Sequence, residues 1–161
     1  MHPFERILFV SKSDTAAGPM AAAILQKKLL LDEYVVESRG LVVLFPEPVN
    51  AKAEAVLVSH GLTKKDHMSE PLTLDDLDER TLVFALSDAT RQKLEEEFHD
   101  GESDLVFSLT EYIGENQKQL FSPYGGSLAD YARCYDELDE MLTAAYQKIR
   151  KEAIKNDSTG L

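Results

Sequence analysis

The sequence predicts an α/β fold of three layers: a doubly wound, four-stranded parallel sheet with helices on both faces. Three observations carry this. Short apolar runs at Ile7–Val10, Tyr34–Ser38, Thr81–Leu86 and Leu105–Leu109 alternate with helical segments, the pattern of a parallel sheet. Ile7-Leu8-Phe9-Val10 is apolar without interruption, which suits a strand covered on both sides. The last helix places Leu128, Tyr131, Tyr135, Leu138, Leu142, Ala145 and Ile149 in steps of three and four, one stripe to dock on a sheet.

The elements follow in order. After the first strand, the loop Ser11-Lys12-Ser13-Asp14-Thr15-Ala16-Ala17-Gly18 enters an alanine-rich helix at Pro19, expected to end near Leu31. Proline suits the first helical position because its missing amide has no helical partner there. The backbone amides of such a loop should converge at the helix start, a geometry that binds phosphate and other oxyanions. Tyr34–Ser38 reads as the second strand, and a loop starts at Gly40. Leu41–Pro48 is too apolar for an ordinary loop and has too many prolines for a good strand. Large exposed apolar patches are uncommon, so packing against the protein's own helices is the favoured expectation and a partner surface the alternative.

Ala51–His60 has helical spacing with Gly61 as its C-terminal stop. Thr73 begins a short helix, with Asp76 as a weak capping box. Ser87 or Asp88 caps a helix through Phe98, and Thr110–Gly114 is a helical turn. Asn156–Leu161 has no apolar stripe and is expected to fray, leaving residues 1–155 as one domain.

At 161 residues the chain can bury a core without disulfides or metal. A single cysteine, no apolar stretch of spanning length and no leader-like start point to the cytoplasm. A formal charge of −12 argues against nucleic acid and anionic membranes, which need clustered Lys and Arg. His2, His60, His67 and His99 lack metal-site spacing, and neither a metal nor a cofactor is expected. Glu95-Glu96-Glu97 reads as a solvated helix end, and Cys134 as a packing residue. In a doubly wound sheet, ligands bind beyond the strand C-termini at the switch point, where the Ser11 loop lies.

The stretch VSKSDTAAGPMAAAIL resembles the phosphate-binding loop of the low-molecular-weight protein tyrosine phosphatases, which reads Cys, five residues, Arg, Ser, Pro, Met. Pro19 and Met20 match. The Cys position falls on Ser11, the Arg on Ala17, the following Ser on Gly18 and the bracing Asn on Asp14. Phe121-Ser122-Pro123-Tyr124, with Tyr135-Asp136-Glu137-Leu138 on the last helix, is similar to the family's Asp-Pro-Tyr segment and terminal helix, but the general-acid Asp falls on Ser122. His67 and Ser69 fit a His-x-Ser segment. Together with Ser69–Thr73 and Val106–Tyr112, these segments look closest to the bacterial branch that includes protein arginine phosphatases, in which a loop Thr, here Thr15, favours phosphoarginine.

The resemblance implies a fold kept and a chemistry lost. A thiolate nucleophile is accessible near neutral pH, whereas a serine hydroxyl needs an adjacent base. Ala17 offers no fork to grip phosphoryl oxygens, and Lys12 is only a flexible point charge. Ser122 is a poor acid. Asp14 has two open readings: it fills the place of the phosphate, or it turns its oxygens toward local amides. No catalytic residues are therefore expected at Ser11, Ala17 or Ser122. The expected function is a catalytically inactive phosphatase relative that binds a protein partner or a small oxyanion on residues 11–18. Leu41, Val42, Val43, Phe45 and Tyr124 are the expected cleft rim, and oligomeric state is left open. The alternative is a weak or altered hydrolase using Ser11, Lys12 and Thr15.

Overall fold

The computed structural model describes residues 4–159, with side chains to Glu152. Four parallel strands, β1 (Arg6–Ser11), β2 (Val35–Gly40), β3 (Thr81–Ala85) and β4 (Val106–Ser108), lie in the order β2-β1-β3-β4. The chain leaves β1 toward β2 on one side and returns to β3 on the other, so the switch point lies between β1 and β3. Their C-terminal ends meet there. Ser11, expected in the loop, is the last residue of β1 and sits opposite Gly40, which ends β2 instead of opening a loop.

Alternation along β1 divides the interior into two cores. Ile7 and Phe9 face one way with α1 (Ala17–Lys28), α2 (Ala51–Ser59) and α5 (Leu128–Thr159). Leu8 and Val10 face the other way with Leu94 of α3 (Asp88–Phe98) and with Leu77 beyond the 3₁₀ turn Leu74–Asp76. The short α4 (Leu109–Tyr112) follows β4 directly, capped by Ser108, so Leu109 is helical and not strand.

Several boundaries differ from expectation for local reasons. Helix α1 starts at Ala17, two residues before Pro19, because its first bond runs from the Met20 amide to the Ala16 carbonyl and leaves proline in the donor-free first turn. It ends at Lys28, since Leu30 and Leu31 have turned into solvent. Gly61, at positive φ, lies one residue past the cap His60, and Leu62 bonds back to Leu57 in a Schellman closure. Ser87 caps α3, and Asp76 accepts from the Thr73 amide as the capping box requires.

The stripe on α5 is buried from Tyr131 to Ile149, joined by Cys134 and Met141, whereas Leu128 is exposed at the first turn. Across the tail expected at residues 156–161, the α5 backbone is helical through Thr159, and residues 160 and 161 lie outside the described residues, as do Met1–Pro3. Among the described residues, no helix is long and apolar enough to cross a membrane.

Segment 41–48 overturns the packing expectation. Leu44 is 89% exposed and Phe45 63%, with Val42 also exposed, while Leu41 and Val43 are half-buried. The segment is held by its backbone. Leu41 and Val42 donate to the Ser11 and Lys12 carbonyls, Pro48 bridges to Met68, and the Ser69 hydroxyl accepts from the Glu47 amide. Anchored this way, it needs no side-chain burial.

Candidate phosphate-loop site

Residues 11–18 wrap the start of α1 at the switch point. Asp14 turns the loop by adopting a left-handed backbone (φ 59°), a conformation that Asp and Asn tolerate better than other non-glycine residues. Its amide donates to the Ser11 hydroxyl at 3.2 Å, and Ser13 and Thr15 pair their hydroxyls at 3.0 Å. The amides of Ser13, Thr15, Ala16 and Ala17 donate to no acceptor among the described residues. Unpaired amides at a helix start are the donor type that oxyanion sites use.

The loop rests on a tight floor. A Cβ on Gly40 would stand 3.0 Å from the Ser13 carbonyl carbon, 3.2 Å from Asp14 Cβ and 2.7 Å from Val43 Cγ2, so only glycine lets β2 approach this closely. His67 Nε2 donates to the Asp14 carbonyl at 2.7 Å, and the Glu70 amide donates to Asp14 Oδ2 at 3.1 Å.

Asp14 is fully buried beneath the loop, so it neither occupies the place of the phosphate nor turns to an amide of its own loop: its Oδ2 accepts from the Glu70 amide, 56 residues away. Its other oxygen, Oδ1, has no hydrogen-bond partner. Burial pushes this carboxyl above its ordinary range, outweighing Ser38, the Glu70 amide, His67 and Arg39, which all favour the charged form.

Above the loop lies a cleft of about 280 Å³ lined by Ser11, Lys12, Ser13, Thr15, Ala16, Ala17, Asn50, Ser122, Pro123, Tyr124 and Tyr131. The structure thus gathers Ser11, Ala17 and Ser122 in one place, with Tyr124 as an exposed wall. Leu41, Val42, Val43 and Phe45 do not line it; they flank the loop backbone. The lining contains no thiol, guanidinium, carboxyl or imidazole, and Lys12 is its one basic side chain. Cys134 is remote in α5, and burial pushes its thiol up to about 12, so it supplies no thiolate. The hollow at the ends of β3 and β4, between Ser87 and Gln119, holds only about 10 Å³. It is no rival for a ligand.

Sequence reasoning missed Asn50, Tyr131 and His67 as members of this constellation. Asn50 caps α2 through its side chain, bonds its amide to the Thr15 carbonyl at 2.8 Å and lines the cleft. An Asn directly before a helical pattern was the available signal. Tyr131 belongs to the α5 stripe and also lines the cleft. The resemblance places His67 in a His-x-Ser segment, but no local signal ties it to the loop, since its partner lies 53 residues away.

The four-stranded sheet in this order, with a loop of unpaired amides between β1 and α1 at the switch point, defines a doubly wound α/β protein with its cleft at the phosphate-loop position. A model of the low molecular weight phosphotyrosine protein phosphatases matches residues 6–155, and the chain belongs to that family. It is 30% identical to the protein-arginine-phosphatase of Bacillus subtilis, with 91% of this chain and 97% of that protein aligned. The protein-arginine-phosphatase of Geobacillus stearothermophilus is 29% identical over the same shares. The structure of the YwlE arginine phosphatase from Geobacillus stearothermophilus superposes with a TM-score of 0.86 at 28% identity, covering 94% of this chain and 96% of that one. A second solved structure, at TM-score 0.83 and 28% identity over 91% of this chain and 96% of that one, is a Cys-to-Ser mutant of the YwlE arginine phosphatase with a phosphorylated active-site serine.

Proposed function

We propose that this chain is a phosphatase-family protein without catalytic turnover, which uses the inherited cleft for binding. The observation that carries this reading is the composition of the cleft. The positions that resemble the family's nucleophile, clamp and acid are Ser11, Ala17 and Ser122, and no other lining side chain supplies a thiol, guanidinium or carboxyl. Positioned acid-base catalysis alone is worth about 10²- to 10⁴-fold, so an enzyme lacking all three groups has little left beyond the amide cradle. The ligand class is a phosphoryl group or similar oxyanion, because the unpaired loop amides remain. The solved Cys-to-Ser relative with a phosphorylated active-site serine supports a phosphoryl group as the kind of ligand such a cleft accepts.

Binding a protein partner is the second half of the proposal. Val42, Leu44 and Phe45 present exposed apolar side chains on a segment whose backbone is fixed to the loop, and Met68 is exposed across the Pro48 bridge.

The test is a turnover assay with an aryl phosphate and a phosphoarginine peptide, run beside the variant Ser11→Cys/Ala17→Arg/Ser122→Asp. The expected result is no turnover by the wild-type chain and measurable turnover by the variant. Multiple turnovers by the wild-type chain, lost on Ser11→Ala, would refute the reading.

A further inference from the structure

Resting on that reading, we infer that the ligand carries two negative groups, a phosphoryl group for the 11–18 loop and a carboxylate for Lys52, as a phosphorylated peptide with an acidic neighbouring residue does. The observation behind this is that the cleft continues. Tyr124, 85% exposed, also lines a second hollow of about 420 Å³. That hollow shares Asn50, Tyr124 and Tyr131 with the cleft and adds Ala51, Lys52 and the backbone of Gly125 and Gly126.

Charge singles out this pair of hollows. The chain holds 29 acidic side chains against 17 basic ones, yet no carboxylate lines either hollow, and the two charged side chains that do, Lys12 and Lys52, are both positive. Lys28, Lys93 and Lys118 are paired with carboxylates, whereas Lys12 and Lys52 form no ion pair among the described residues. The carboxyls nearest Lys52 along the chain and nearest Gly126 are engaged elsewhere. Glu54 accepts from the Thr63 hydroxyl and the Lys64 amide, and Asp130 accepts from the Ser127 amide at 2.9 Å. A negative group is therefore the complement these walls lack.

Lys52 is also held in place. Its ammonium donates to the Gly126 carbonyl at 2.6 Å and keeps two protons for another acceptor. That carbonyl belongs to a segment, 121–127, fixed at both ends. The Phe121 amide donates to Glu137 at 2.9 Å, with the Arg133 guanidinium 3.8 Å from the centre of the Phe121 ring. The Gly126 amide donates to the Pro123 carbonyl at 2.8 Å, and a Cβ on residue 126 would collide with Asp130 and Pro123. An ammonium ordered beforehand loses less side-chain freedom on binding than a free surface lysine. A peptide suits this layout better than a free oxyanion. A phosphate ion uses the loop amides alone, whereas side chains one or two positions apart on an extended chain, about 3–7 Å along it, can enter adjacent hollows.

The experiment titrates the full chain with phosphotyrosine peptides that carry Glu or Gln at each of two positions on either side of the phosphorylated residue, and follows phosphate release in parallel. The expected result is a preference of about 3- to 5-fold for Glu over Gln at one position, the upper part of the range for an exposed ion pair, shrinking as salt rises. Lys52→Met is expected to remove the preference and Lys52→Arg to keep it, while inorganic phosphate binds the wild-type chain and Lys52→Met alike. The ratio separates recognition from scaffolding, because a wall loosened by loss of the Gly126 bond weakens Glu and Gln peptides equally. Equal affinity for Glu and Gln at every position, or a preference that survives Lys52→Met, overturns the inference and leaves the non-turnover reading standing. So does a Lys52→Met chain that loses inorganic phosphate as strongly as it loses the Glu peptide. Steady phosphate release with a Lys52-dependent preference overturns the non-turnover reading alone. No binding of any of these peptides overturns both.

Discussion

At Asp14 a left-handed backbone and a fully buried carboxyl are imposed together, and the two have different costs. The backbone conformation is one that Asp and Asn share. The charge is peculiar to Asp: one oxygen is satisfied by the Glu70 amide and the other by nothing. Because the folded-state pKa is raised above its ordinary 3.8, the native state holds the proton more tightly than the unfolded chain. The cost of charging it therefore appears as pH rises through the folded value and is absent below 3.8. Asp14→Asn keeps the turn and removes the charge while leaving an equally unpartnered amide nitrogen, so it should raise stability at pH 7 by the cost of charging the buried carboxyl alone. Urea unfolding at pH 7 and at pH 3 checks this, since the gain should vanish at the lower pH. Gly40→Ala works in the opposite direction. Its methyl group would sit against the Ser13 backbone and Val43, and overpacking of this kind costs about 1–3 kcal/mol, measurable as a lower urea midpoint. The chain pattern revealed a loop at residues 11–18 because apolar strand, small polar residues and proline are local signals. The downward turn of Asp14 was not legible, since it depends on Gly40, Glu70 and His67, all remote in sequence.

Segment 41–48 shows how an element is misread when only its side chains are considered. Apolar content argued for burial, but the anchors are backbone bonds to Ser11 and Lys12, the Pro48–Met68 bridge and the Ser69 hydroxyl, none of which has a hydrophobic signature. By contrast, Ser87, Thr73 with Asp76, and Gly61 were legible because caps and stops are set by residues a turn apart. If the side chains of this segment are free of the fold, replacing them should leave it intact. Leu44→Asp/Phe45→Asp is expected to stay within about 0.5 kcal/mol of wild type by urea unfolding, the usual range for surface changes. A larger loss would show that these side chains contribute to packing. With stability unchanged, loss of partner binding in the same variant would place the contact on this ridge.

Across the whole molecule, a charge network joins the sheet to the 3₁₀ turn and sets acid stability. Arg6 bonds Glu37 at 2.9 Å and Asp76 at 3.0 Å, while Arg39 reaches Glu37 at 3.1 Å and Asp76 at 3.4 Å. Burial alone would raise both carboxyls, but the Arg39 and Arg6 contacts hold Glu37 below its ordinary range. The Thr73 amide and the same two arginines do so for Asp76. Lowered folded-state values contribute stability above the unfolded values, 4.5 and 3.8, and that contribution is lost as pH falls through the folded ones. Asp14 contributes with the opposite sign, so acidification relieves one cost while it dissolves the network. Asp76 carries the larger share because it is better shielded than Glu37, whose side chain is 37% exposed. Breaking a fully buried pair costs about 3–5 kcal/mol, and the partial exposure here reduces the expectation for Asp76→Asn to about 1–3 kcal/mol at pH 7. At a pH below the folded-state value the wild-type carboxyl is neutral too, so the two unfolding midpoints should converge. Arg39 also favours the charged form of Asp14, so the two sites share a partner and their effects should not add. In the Asp14→Asn/Asp76→Asn double variant, Arg39 keeps Glu37 and Glu70 as its carboxylate partners among the described residues, and the deviation from additivity in a pH 7 cycle measures how far the loop floor and the network act as one unit. Strict additivity would show that they are separate.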